Sequence, residues 1–285
     1  MNLVLDDDEL KQKKLKRFYI SILVICVVAI ISAFVIQIVK EQQEIANNNK
    51  ISVEEINSEL NVNKEQFSGL FKNKVNYLEN NAYKITKIDA NKEIVYLGYK
   101  NNDIEVNDYE LDVNIPYINI DNEVAKEFNT QIKEIFENKA KSVLNSQNNN
   151  ILYTVDYSAY VSNNILSLVV RSTLKEGTNA QREIIQTYNY DLKNHKECTI
   201  DDILELKGIE KKDAGKTIKL EIKEIQERVE ELASLGCLVY PRDYTDDIYN
   251  INNVTEYFLG KDNVLYIIYA YGNNNHTNEM DIVIM

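Results

Sequence analysis

An uncharged apolar run near the N-terminus constrains this chain more than any other feature. The run extends from Phe18 to Val39, 22 residues without a charged side chain. At about 1.5 Å per helical residue it would span about 33 Å, close to the roughly 30 Å hydrocarbon core of a bilayer. It is also longer than the apolar core of a signal peptide, which is about 7–15 residues. The sequence therefore predicts one membrane-spanning helix at 18–39.

The charges that flank this run predict its orientation. Basic residues are dense before it and sparse after it, where Lys40 and Lys50 are the nearest. Those before it are Lys11, Lys13, Lys14, Lys16 and Arg17. Because positive flanks stay in the cytoplasm, we expect a cytoplasmic tail at 1–17 and an extracellular chain beyond about residue 40. The expected location is the cell membrane. Ser32 and Ala33 leave open the alternative that a signal peptidase removes the run.

The part of the chain beyond the run is strongly acidic. The net charge is −13 overall and +2 for residues 1–40, which leaves −15 for residues 41–285. Such a surface repels phosphates, so we expect no nucleic-acid partner, whereas a cationic partner would be attracted. Cys26 lies in the apolar run. Cys198 and Cys237 can therefore form at most one disulfide, and whether they pair is left open.

Residues 40–80 are expected to form a juxtamembrane linker with short helices. Ser52 and Glu55 have the spacing of a capping box. The following residues predict a second helix with its apolar side chains on one face. These side chains are Phe67, Leu70, Phe71, Val75 and Leu78. The segment would form either a short stalk or a small helical unit packed under the main domain.

Residues 81–285 predict an α+β domain, with an antiparallel sheet and helices packed on one side of it. An alternative is that this domain consists of two subdomains, 81–150 and 151–285. Strands are expected at 94–99 and 104–115, where Pro116 interrupts the second. Asp121 is a plausible N-cap for a long amphipathic helix. The inward-facing side chains of that helix are Val124, Phe128, Ile132, Ile135, Phe136 and Val143.

The second half of the domain begins with a strand of period two at 153–161. Short links lead to strands at 165–174 and 183–190, which predicts an antiparallel meander. Thr199 would cap a short helix at 201–206, and a longer helix would end at Gly236. Final strands are expected at 254–259 and 264–271, with an edge at 282–284. Most tyrosines on these strands should pack in the core.

The motifs examined for catalysis and metal binding are incomplete. Gly215-Lys216-Thr217 resembles the end of a phosphate-binding loop, but Glu210 stands where the first glycine should be. Asp89–Glu93 lacks the glycine of a calcium loop. His195 and His276 have no metal-ligand spacing. We therefore expect no enzyme, no cofactor and no metal site.

Several stretches resemble one bacterial envelope module in their order and spacing. The first is 109–116 with the helix after it, and the second is 157–168 followed by Tyr-Asn-Tyr-Asp at 188–191. The match continues through 199–204 to 266–271. Together these stretches resemble the RsiV/PdaC-type extracellular domain, which occurs in an anti-sigma factor and in a peptidoglycan deacetylase. The resemblance covers roughly residues 100–285.

The resemblance implies a membrane-anchored extracellular module that recognises a cell-wall glycan such as peptidoglycan, or a cationic protein such as lysozyme. The alternative is an anti-sigma factor that senses lysozyme and releases a sigma factor on proteolysis, although the 17-residue tail is short for that role. The chain has no deacetylase domain. Family members carry a histidine-containing loop that here reads Glu-Gly-Thr-Asn-Ala at 176–180. Its candidate ligand-binding residues are Gly177, Thr178, Asn179 and Arg182.

Overall fold

The computed structural model describes residues 15–16, 32, 35–43, 54–78, 85–105, 108–146, 150–270 and 279–285. The chain divides into two compact units, Met1–Asn57 and Ser58–Met285. All described residues of the first unit are helical. Most of the predicted span at 18–39 lies outside the described residues, as does Ser52 of the predicted capping box. Among the residues that the structure describes, no helix is both long enough and apolar enough to cross a membrane.

The second unit contains five helical segments and ten strands among its described residues. The helices are α1 (54–68, of which 58–68 belong to this unit), α2 (Glu123–Ile132) continued by a π-helical turn (Lys133–Glu137) into α3 (Asn138–Leu144), α4 (Ile200–Lys207) and α5 (Lys211–Ser234). The strands are β1 (Lys74–Tyr77), β2 (Val95–Glu105), β3 (Tyr109–Ile118), β4 (Ile151–Ser162), β5 (Ile165–Glu176), β6 (Arg182–Asp191), β7 (Lys196–Glu197), β8 (Glu256–Leu259), β9 (Leu265–Ala270) and β10 (Met280–Ile284). Short 3₁₀ turns lie at Asp247–Tyr249, Ile251–Asn253 and Lys261–Asn263.

The larger sheet has seven strands in the order β2-β3-β4-β5-β6-β7, with β1 paired to β4. One edge of β4 is shared, because its first half pairs with β3 and its second half with β1. Both of these pairings are parallel, whereas the others are antiparallel. The α+β class is therefore correct, but the predicted purely antiparallel sheet is wrong. The connection from β3 to β4 passes through α2 and α3, and such a crossover allows parallel pairing.

The smaller sheet has the order β10-β9-β8 and packs between the larger sheet and α5. Alternate side chains of β9 point to opposite faces of the smaller sheet, one toward the larger sheet and the other toward α5. Tyr266 and Ile268 pack toward the larger sheet, and Ile267 and Tyr269 pack with α5. The helices α2 and α3 cover the opposite face of the larger sheet. Helices α2 and α3 thus lie on one outer face of the stacked sheets and α5 on the other, and not all on one side, because each sheet has two apolar faces to bury.

Side chains, and not ladder bonds, carry the hydrogen bonds that join β8 to β6. The Glu256 carboxylate accepts from Thr187 N at 2.7 Å, from Thr187 Oγ1 at 2.9 Å and from Gln186 Nε2 at 2.9 Å. Asn189 Nδ2 donates to Tyr257 O at 2.7 Å. Burial raises the pKa of Glu256 to about 7, although these hydrogen bonds act to lower it. The junction of the two sheets therefore contains a titratable group.

Residues 58–78, which precede the predicted domain start at residue 81, belong to the second unit. Phe67 and Phe71 are buried in the cluster between the two sheets. The second helix predicted to reach Leu78 is wrong, because residues 74–77 form β1. Val75 lies opposite Ala159, and Leu78 N donates to Val161 O at 3.0 Å. The apolar spacing is that of a helix, and pairing with β4 overrides it at residues 74–77. Residues 67–78 therefore pack within the second unit.

Strand β3 continues through Pro116 to Ile118, so the predicted interruption at the proline is wrong. The register of β2 against β3 shifts between Leu97 and Tyr99. A bulge at this position accommodates the missing N–H of proline. Gly98 lies in the bulge, where a Cβ atom would be 2.6 Å from Cγ of Tyr117. The close approach of that ring requires glycine.

Helix α2 begins one residue later than predicted. Asn122 and not Asp121 is the N-cap, and its side chain accepts from Val124 N at 2.9 Å. The six side chains predicted to face inward on this helix pack with the core of the larger sheet. The amphipathic pattern therefore identified the correct face although the first residue was displaced.

The predicted meander is confirmed in β4, β5 and β6. Asn163 and Asn164 form its first turn with φ of +49° and +68°, the backbone of a two-residue hairpin that favours asparagine. Thr199 caps α4 through a capping box with Asp202. The tyrosines on these strands are mostly buried, as expected, while Tyr271 lies outside the described residues.

Candidate binding surface

The predicted ligand loop forms the tip of the β5–β6 hairpin. Gly177, Thr178 and Asn179 are exposed there, and Arg182 pairs with Glu176. Lys139 Nζ lies 2.9 Å from the same carboxylate and ties the tip to α3. That hydrogen bond lowers the pKa of Glu176. The four predicted residues therefore lie together at one solvent-exposed tip, where a ligand role for them stays a prediction.

The groups considered for catalysis lie in separate and ordinary structural positions. Gly215 is inside α5, where its backbone is helical and not a phosphate-binding loop. His195 lies in a turn with Nδ1 3.2 Å from Tyr190 OH, and His276 lies outside the described residues. Cys198 and Cys237 are free thiols. The described part of the chain contains no group of three or more potential metal ligands.

The second half of α5 and the chain after it, residues 224–247, are rich in exposed carboxylates, and this stretch is called the acidic surface. Residues 224–247 contain seven carboxylates, two arginines and no lysine. All seven carboxylate side chains are exposed. They are Glu224, Glu227, Glu230, Glu231, Asp243, Asp246 and Asp247. Because carboxylates at a helix C-terminus oppose the macrodipole, this arrangement does not stabilise α5.

Both arginines of this stretch bind residues outside it. Arg228 forms an ion pair with Glu59 of α1. Arg242 Nε lies 3.3 Å from Asp281 of β10, which is 2% exposed and also accepts from Tyr249 OH at 2.8 Å. Burial raises the pKa of Asp281, although Arg242 acts to lower it. The positive charges are thus neutralised locally, and the exposed charge of residues 224–247 is negative.

The loop 235–241 follows α5 and borders this acidic surface. Cys237 N donates to Leu232 O at 3.0 Å and Gly236 has φ of +84°, which is a Schellman-type helix end. The predicted stop at Gly236 is therefore confirmed. Tyr244 N then donates to Gln226 Oε1 at 3.1 Å, so the chain folds back along α5. Leu238, two residues after Gly236, is 98% exposed.

A groove of about 300 Å³ lies between α1, α5 and β10. Side chains occupy the hydrogen-bonding edge of β10 within it. Asn63 Nδ2 donates to Ile282 O at 2.8 Å, and the backbone of Ile284 bonds to Glu221. The edge of β10 is therefore closed to an added strand. The groove borders the acidic surface at Glu224 and Arg228.

Sequence reasoning did not single out this surface. The absence of lysine between 224 and 247 is visible in the sequence and could have indicated it. The pairing of Arg242 with Asp281 joins residues that are distant in the chain, so no local pattern could have shown it.

No family model matches the chain, and no curated protein matches it. Two solved structures show a partial likeness. A DUF3298 family protein from Pseudomonas aeruginosa PAO1 is 11% identical, with coverage of 61% of this chain and 80% of that chain and a TM-score of 0.38. A member of the DUF3298 family from Bacteroides fragilis NCTC 9343 is 12% identical, with coverage of 62% and 81% and a TM-score of 0.31. Likeness at these scores establishes neither family membership nor function.

Proposed function

We propose that this chain is a membrane-anchored extracellular module of the bacterial envelope that binds a cationic protein. The observation that carries the proposal is the exposed acidic surface of residues 224–247, whose two arginines are paired locally. Carboxylates concentrated on one surface attract a basic partner and accelerate its encounter. The apolar run at 18–39 supports the membrane anchor, and the basic residues before it support an extracellular domain.

We also propose that the domain is of the RsiV/PdaC type. The support is the order and spacing of the stretches between 109 and 271 in the sequence. Peptidoglycan is the competing ligand class for such a module. It lacks the concentrated positive charge that would match residues 224–247, so we favour the protein partner.

Binding of the full-length chain in detergent micelles tests the proposal, with lysozyme as the basic protein and purified peptidoglycan as the glycan. We expect lysozyme to bind at low salt and to lose affinity steeply at high salt, because salt screens exposed charges. Binding to peptidoglycan that is insensitive to salt, without binding to lysozyme, would refute the cationic partner. Protection of residues 41–285 from protease added to intact cells would refute the topology.

An anti-sigma role is the second candidate, favoured by apolar residues in the cytoplasmic tail. These are Leu3, Val4, Leu5, Leu10 and Leu15, which lie almost entirely outside the described residues. Recovery of a sigma factor with the intact protein, and its loss when these five residues are changed to serine, would support this role. Lysozyme binding without any sigma factor in the complex would leave only the binding function.

A further inference from the structure

We propose that the loop 235–241 is the apolar contact point for the basic protein, with Leu238 as the residue that is buried on binding. This inference rests on the proposed function and assigns it a place on the molecule. Leu238 has the highest exposed fraction, 98%, of the exposed large hydrophobic residues in the described chain. Tyr240 lies two residues further on and is partly exposed, and tyrosine is enriched at protein interfaces.

The fold holds Leu238 in this position. The Schellman-type bonds from Gly236 and Cys237 fix the start of the loop on the last turn of α5. The hydrogen bond between Tyr244 and Gln226 fixes its return. Because both ends are held, ordering the loop on binding costs little entropy, which favours affinity. The exposed leucine is therefore presented by a constrained loop.

The charges around the loop indicate the chemistry of the partner. Glu230 and Glu231 lie in the last two turns of α5 before the loop. Asp243 follows the loop after Arg242, whose charge is paired with the buried Asp281. An apolar centre with a charged rim is the usual anatomy of a protein interface. The complementary surface is a shallow apolar pocket surrounded by lysine or arginine side chains. A folded basic protein provides that combination.

A membrane surface would be a different occupant for an exposed leucine. A surface of anionic lipid has a negative potential, and the carboxylates beside the loop would be repelled from it. Residues 224–247 offer no lysine to offset that repulsion. The same charges that favour a basic protein therefore disfavour lipid.

The experiment compares leucine variants of the full-length chain for binding to lysozyme. Leu238→Ser should weaken binding by about tenfold or more, because a central contact of the interface is lost. Leu220→Ser is the matched control. Leu220 is also an exposed leucine, at 62%, but it lies between Lys219 and Lys223 in the basic half of α5. We expect this control to bind as the unchanged chain does. Neither change should alter the melting temperature, since both side chains are exposed.

A variant without the charges of Glu230 and Glu231 distinguishes the contribution of the carboxylates from that of Leu238. Glu230→Gln combined with Glu231→Gln should reduce the salt dependence of binding, whereas Leu238→Ser should leave that dependence unchanged. If the unchanged chain binds lysozyme and Leu238→Ser binds equally well, the loop assignment is wrong and the proposed function stands. If the unchanged chain does not bind lysozyme, the cationic-partner function itself fails. Binding of the full-length chain, held in zwitterionic nanodiscs, to anionic phospholipid vesicles that is lost with Leu238→Ser would overturn the protein partner in favour of lipid.

Discussion

Replacement of Phe67 by alanine tests whether the segment before residue 81 is part of the folded core. Phe67 is 1% exposed and lies between the two sheets. Its ring centroid is 5.1 Å from that of Phe71 and 6.1 Å from that of Phe258. Truncation of a fully buried phenylalanine removes its transfer free energy and leaves a cavity, which together cost about 3–5 kcal/mol. Because a domain has only about 5–15 kcal/mol of stability, we expect a large loss.

Urea unfolding of the fragment 41–285, followed by far-ultraviolet circular dichroism, measures this loss. Tyrosine fluorescence is a second probe, since the chain has no tryptophan. Val62→Ala is the control in the same helix, because Val62 is 54% exposed and should change stability by less than about 0.5 kcal/mol. If Phe67→Ala costs less than about 1 kcal/mol with an unchanged urea dependence, α1 contributes little to the core and the reasoning is refuted.

Two further changes test the sheet junction and the bulge. Because the folded pKa of Glu256 is raised to about 7 from its ordinary value of 4.5, its contribution to stability is full at low pH and is lost as pH rises from about 4.5 to about 7. The difference in unfolding free energy between the unchanged fragment and the Glu256→Gln variant should fall by at most about 3 kcal/mol across that interval. A difference that does not change with pH would contradict this. Gly98→Ala should cost about 1–3 kcal/mol because its Cβ would meet the Tyr117 ring. Gly215→Ala inside α5 is the control. The added Cβ would be 3.5 Å from its nearest neighbour, so this change should stabilise the fragment by about 0.5–1 kcal/mol. If both alanine variants change the free energy of urea unfolding equally, the Tyr117 ring moves aside freely and the reasoning for Gly98 is wrong.

The elements that the sequence predicted well depend on neighbouring residues. The alternation in β4, the short link between β4 and β5 and the cap at Thr199 are each visible within a few positions of the chain. The turn and the cap form their hydrogen bonds between neighbouring residues, and the period of two in β4 can be seen without knowledge of its partner strands, so local pattern is sufficient to predict them. The same applies to the helix end at Gly236. The wrong predictions, at β1 and at Pro116, concern residues whose conformation is set by another strand.

The candidate surface shows the same division. Its carboxylates and the missing lysines are written in residues 224–247, and α5 places most of them on one helix. That both arginines are neutralised within the fold depends on Glu59 and Asp281, which lie far away in the chain. The exposure of Leu238 depends on the path of the loop. The residue types therefore indicate the sign of the charge on this surface, and only the packing indicates that Leu238 is exposed beside it.

The sequence by itself determined an acidic α+β domain with a meander, a long amphipathic helix after it, and an apolar run that predicts a membrane span. The tertiary structure decided that β4 accepts two parallel neighbours, that the final strands form a second sheet, and that residues 58–78 pack into the domain. The physical reason is the range of the interactions. Periodicity and capping act over a few residues, whereas strand pairing and the burial of a second sheet face depend on partners that chain folding alone brings together.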